Sequence, residues 1–128
     1  MTTERHPDIE VYIKDASIPA ILKWLEHRSD HIDTHETRGL IHELVAQIDA
    51  INIPVMIQER AVGKAWISIW LNSSETPWNQ DIDCAKEISQ RLNVQTRCIV
   101  DGWQEGDEPD EWWKIDNGQQ EKITWKTH

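Results

Sequence analysis

Residues 40–60 read LIHELVAQIDAINIPVMIQER, and how they fold decides the architecture of the whole chain. Leu40, Ile41, Leu44, Val45 and Ile48 recur at the spacing of one helical face, which reads as an amphipathic helix. The same letters also read as a strand over 40–48, a turn through Asp49 to Asn52, and a second strand over 53–60. Ile53, Val55 and Ile57 alternate under either reading, with Pro54 near a strand start, where a missing N–H is tolerated. The hairpin is preferred, because a lone strand here would leave the sheet thin; helix over 40–51 stays open as the alternative.

Outward from this stretch the pattern is clearer. Val62-Gly63-Lys64 is a short turn into AWISIWL, the firmest central strand. There Ile67, Ile69 and Leu71 face one side, and Trp66, Ser68 and Trp70 the other. Upstream, DIEVYIKD alternates as a half-buried strand. Ser17 and Pro19 then open a helix over 17–28 with Ile18, Ile21, Leu22 and Leu25 as its apolar stripe. Residues 28–39, RSDHIDTHETRG, show neither period and read as a loop. Downstream, Thr76 and Pro77 predict the cap and first position of a second helix carrying Trp78, Ile82, Ala85, Ile88 and Leu92. VQTRCIV is a further strand, and Asn117-Gly118 predicts a hairpin between two short ones.

The expected fold class is therefore α+β, one domain over 1–128. It has an antiparallel or mixed sheet with two helices on one face, compatible with a ferredoxin-like core, plus a C-terminal β-hairpin.

Charge narrows the functional classes. Thirteen Lys and Arg against 23 Asp and Glu leave a formal −10 over 128 residues. Such a field repels phosphate backbones and anionic membranes, so neither nucleic acid nor membrane is an expected partner, while a basic protein is. MTTERHPDIE carries no apolar run of the secretory kind, and Cys84 and Cys98 imply no disulfide framework, so a cytoplasmic protein is expected.

Catalytic signatures are thin. His42-Glu43 begins like a zincin motif but position 46 is Ala. Cys84 and Cys98 read as small buried hydrophobes, and neither register of the acidic strip fits a calcium loop. No cofactor is implied, and a non-enzymatic reading is preferred while an enzyme stays open as the alternative. Three sets of candidate residues remain. The strip GWQEGDEPDEWWKIDNG, residues 102–118, offers Trp103, Glu105, Asp107, Glu108, Asp110, Glu111 and Trp112 as a partner-binding surface. Carboxylates would steer a basic partner there and rings would anchor it. Trp66 and Trp70, on the sheet face opposite Ile67 and Ile69, are the alternative, a site for a small molecule or carbohydrate. They reach solvent only if Trp112, Trp113 and Trp125 do not cover them. His27, His31 and His35, four residues apart, are the third: a metal site if they share one helix face.

The elements Thr76-Pro77-Trp78, Asp81, Cys84-Ala85, Arg97-Cys98, Gly102-Trp103 and Glu105-Gly106-Asp107 form the pattern TPWxxDxxCA…RC…GWxEGD. Over about residues 64–126 it resembles small bacterial proteins of a domain of unknown function. That resemblance implies a bacterial cytosolic protein and assigns no role to any residue. The leading expectation is thus an acidic protein-interaction module of the immunity or inhibitor kind, followed by the ligand-binding domain and then the metal protein.

Overall fold

The computed structural model describes residues 5–100 and 111–125. Residues 40–60 form the hairpin. Strand β3 (Ile41–Ile48) pairs antiparallel with β4 (Ile51–Val62), Ala46 opposite Ile53 and Leu44 opposite Val55. The remaining elements in chain order are β1 (Ile9–Lys14), α1 (Ile18–Arg28), β2 (His31–Arg38), β5 (Trp66–Leu71), α2 (Asp81–Leu92), β6 (Thr96–Ile99), β7 (Glu111–Asp116) and β8 (Gln119–Thr124). The eight strands among the described residues join one antiparallel sheet in the order β2-β3-β4-β5-β1-β6-β7-β8.

This corrects the expected fold class. The chain is not a balanced α+β, ferredoxin-like core: it is an open, mainly antiparallel sheet, and among the described residues those in strands outnumber those in helices by more than two to one. Part of the difference lies at residues 31–38, read as loop, which form β2 at the sheet edge. Among the described residues only Ile32 of this edge strand packs on the core, so the strand shows no apolar alternation, and its charged side chains discourage pairing with another sheet. A register shift between Thr34 and Glu36 disturbs the pairing further.

The second helix also starts later than its sequence predicts. Thr76 is not its cap; its buried hydroxyl donates to the Trp78 carbonyl at 2.9 Å. Gln80 is the N-cap, and Asp83 reaches back to accept from the Gln80 N–H at 3.2 Å. Trp78 therefore lies outside the helix, its ring 5.7 Å from that of Trp24. The N-terminal segment secures this connection. Arg5 donates to the Ser74 and Thr76 carbonyls and to the Asn79 side chain, and His6 pairs with buried Asp81 at 3.1 Å.

Both helices pack on the same face of the sheet. Ile9, Val11 and Ile13 of β1, Ile67, Ile69 and Leu71 of β5, and Val55 and Ile57 of β4 share that face through their register. With Ile21 and Leu25 of α1 and Ile88 of α2 they make the dry core. Thr96, fully buried, donates its hydroxyl to the Ala85 carbonyl at 2.9 Å and so ties β6 to α2. No helix among the described residues is long and apolar enough to cross a membrane.

Candidate functional site

Among the described residues the opposite face of the sheet carries no helix. Strand alternation dictates what stands there: Glu10 and Tyr12 from β1, Trp66 and Trp70 from β5, Met56 from β4, Glu43 and Val45 from β3, Arg97 from β6 and Trp112 from β7. The face divides into a closed aromatic half and an open acidic half.

In the aromatic half Trp125, just beyond β8, folds over its neighbours. Its ring lies 4.7 Å from Trp66, 5.0 Å from Trp112 and 5.6 Å from Tyr12, and Tyr12 meets Trp112 edge-on at 5.4 Å. Arg97 is held between two of these rings, its guanidinium carbon 4.8 Å from the Trp66 centroid and 4.6 Å from that of Trp125. Burial lowers the Arg97 pKa from its usual value. Burial, and then the charge of Glu10, push the Tyr12 phenol up to about 12. The Glu10 carboxyl is itself raised, chiefly by the water its neighbours displace, against a hydrogen bond from Tyr12 that works the other way.

The open half centres on Trp70. This ring is half-buried, and its Nε1–H donates to Asp8 Oδ2 at 2.8 Å. Beside it runs a groove of about 460 Å³ lined by Val45, Pro54, Met56, Trp70 and Asn72, together with the carboxylates of Glu36 and Glu43. Among the described residues the cation paired with those carboxylates is Arg38, 65% exposed, which stands 3.7 Å from each. Contacts that long on an exposed side chain are worth little and are readily exchanged.

The candidate residues separate accordingly. Trp66 is buried under Trp125 and Arg97, so of the proposed ligand pair only Trp70 presents a ring to the groove. Trp112 is 7% exposed, and among the described residues its Nε1 has no hydrogen-bond partner. Its neighbour Trp113 faces the helix side, opposite Cys98. Glu111 is paired with Lys122 at 3.3 Å. Trp103, Glu105, Asp107, Glu108 and Asp110 lie outside the described residues.

The histidines do not share a helix face. His27 is in the last turn of α1, Ser29 caps that helix, and His31 begins β2 and pairs with Asp33 at 2.8 Å. The side chain of His35 lies outside what is described, and the described residues contain no group of three His, Cys, Asp or Glu placed to hold a metal. Cys84 and Cys98 are fully buried thiols whose pKa values burial raises well above the ordinary value, so neither is a ready nucleophile at neutral pH.

Sequence reading missed Asp8, Glu36, Glu43, Met56 and Arg97. The signal existed in the outward positions of the strands; it needed the strand order, which brings β3, β4 and β5 together. No protein-family model, curated protein or solved structure matches the chain.

Proposed function

We propose that the chain is a non-enzymatic interaction module that receives a basic protein on its helix-free sheet face, an arginine or lysine side chain of the partner entering the groove beside Trp70. The observation that carries this reading is the groove itself. Met56, Val45 and Trp70 line it together with two carboxylates, and Asp8 holds the Trp70 ring by accepting from its indole N–H. An aliphatic stem lies well on such a lining while its cationic head meets Glu36 and Glu43, and a guanidinium also stacks on an indole face. The formal −10 supplies long-range steering toward such a partner, and the strip at 103–112 adds to it.

Calorimetric titration of the full chain with short arginine-rich, glutamate-rich and uncharged peptides tests the reading. The arginine-rich peptide alone should bind, with affinity falling as salt rises. The Glu36→Gln/Glu43→Gln variant should weaken it about tenfold or more, as loss of two charge-assisted contacts requires. Equal binding of the three peptides, or binding indifferent to both salt and the double variant, overturns it. A second reading rests on the same ring: a small molecule or carbohydrate stacked on Trp70. It differs in requiring affinity that ignores salt and is lost in Trp70→Ala.

A further inference from the structure

The helix-bearing side of the molecule has a concavity of the opposite charge. Ala20, Lys23, Trp24, His27 and Arg28 line one wall of a groove of about 340 Å³, and Arg91 and Leu92 of α2 line the other. The five α1 positions follow the three- and four-residue steps of one helical face, so a single face of α1 presents all three of its basic groups to the groove.

Their partners decide what this means. Arg28 stands 2.9 Å from Glu87, and Glu87 also accepts from the indole N–H groups of Trp24 at 3.0 Å and Trp78 at 3.3 Å. That carboxylate is fully engaged. Among the described residues the side chains of Lys23, His27 and Arg91 have no hydrogen bond or ion pair. A chain with 10 more acidic than basic residues thus leaves three basic side chains unpaired around one hollow and holds a fourth beside them. Basic groups in the last turn of a helix complement its dipole, which accounts for His27, Arg28 and Arg91 singly. It accounts neither for Lys23 in mid-helix nor for the groove.

We propose that this groove binds a small organic phosphate. Lys23 and Arg91 bring two unpaired charges, which suit a dianion better than a single carboxylate, His27 adds an unpaired imidazole, and Ala20 and Leu92 offer an apolar wall to the remainder of the molecule. The volume lies at the lower end of the range for small-molecule sites. The negative net charge slows the approach of an anion, but inside the groove the adjacent basic groups dominate, because exposed charges more than about 10 Å away are largely screened at physiological salt. The site lies on the helix side, away from Trp70, and is independent of the peptide-binding reading.

Phenyl phosphate is the probe, with inorganic phosphate, benzoate and phenol beside it, followed by amide chemical shifts of the full chain. The expected result is saturable shifts at residues 20–28 and 88–92 with phenyl phosphate, weaker binding of the other three, and about tenfold weakening in Lys23→Gln/Arg91→Gln. Both substituted side chains are exposed, so the fold should persist; unchanged dispersion of the spectrum checks that. Lys64→Gln/Lys86→Gln, which removes the same charge elsewhere, should bind as the parent does. Absence of saturable shifts, equal affinity for benzoate or inorganic phosphate, or equal weakening in the two double variants overturns the assignment.

Discussion

Glu87 is the polar centre of the contact between α1 and α2, and its removal should cost far more than a surface glutamate. Trp24 and Trp78 are each 5% exposed, and both indole N–H groups end on this carboxylate. A buried donor left without an acceptor costs about 1–3 kcal/mol. The Glu87 side chain is 25% exposed, so water reaches part of the vacated site and the lower end, about 1 kcal/mol for each indole, applies. The Arg28 contact at 2.9 Å is a close charge contact rather than an aligned hydrogen bond, on a side chain one-third exposed, and adds about 0.5 kcal/mol after screening. Glu87→Ala should therefore lower stability by about 2–3 kcal/mol, measured by urea unfolding followed through tryptophan fluorescence. Glu87→Gln keeps the shape and one acceptor oxygen and should cost about 1 kcal/mol. A loss below about 0.5 kcal/mol in Glu87→Ala, or equal losses in the two variants, would show that the indoles do not depend on this carboxylate.

Two further outcomes follow from local physics. Burial raises the Asp81 carboxyl from 3.8 to about 6, against the opposing hydrogen bond from His6. The folded state thus holds this proton more tightly than the unfolded chain. The stability it contributes is complete below about pH 4 and is lost as pH rises through about 6. Urea midpoints of Asp81→Asn should accordingly decline less between pH 4 and 6 than those of the parent, and identical slopes would contradict the burial argument. In the β7–β8 turn Gly118 has φ +76, and a Cβ there would meet no atom within 4 Å. Gly118→Ala should then cost only the backbone term, about 1–2 kcal/mol, whereas a neutral result would mean that the turn relaxes.

The sequence was most legible where one face of a strand is apolar and the other polar, as in β1. It was least legible where both faces carry apolar groups or neither does. In β3, Leu44, Ala46 and Ile48 point to the core while Ile41 and Val45 stand half-buried on the other side, and together they imitate a helical stripe. The turn that settles the matter is Asp49-Ala50, with φ of 52° and 67°, and it lacks the Asn-Gly signal that exposes the later hairpin. A contact distant in sequence stabilises it instead: the Ala50 N–H donates to Asp30 Oδ2 at 2.9 Å. β2 failed for the opposite reason, since an exposed edge needs no apolar pattern. The groove beside Trp70 was illegible because its lining comes from residues 36–72 brought together by strand pairing, while the eye falls on the five acids clustered at 105–111.

The two unusual features of the composition, eight tryptophans without a phenylalanine and 23 acids, explain each other in part. Trp24 and Trp78 donate to Glu87 and Trp70 donates to Asp8, so three rings that fill apolar space also use their N–H on a carboxylate. Phenylalanine would fill the same space and leave those acids without their donors. The acidic surplus is therefore not uniform. Asp8, Asp81 and Glu87 serve the fold, and their neutralisation should be read out in stability. Among the described residues the Glu36 and Glu43 carboxylates pair with an exposed arginine alone, and their neutralisation should be read out in binding with little change in stability. A partner recognised by net charge alone would weaken equally whichever acids were removed. One recognised at the groove beside Trp70 would respond to these two and not to an equal number elsewhere on the surface.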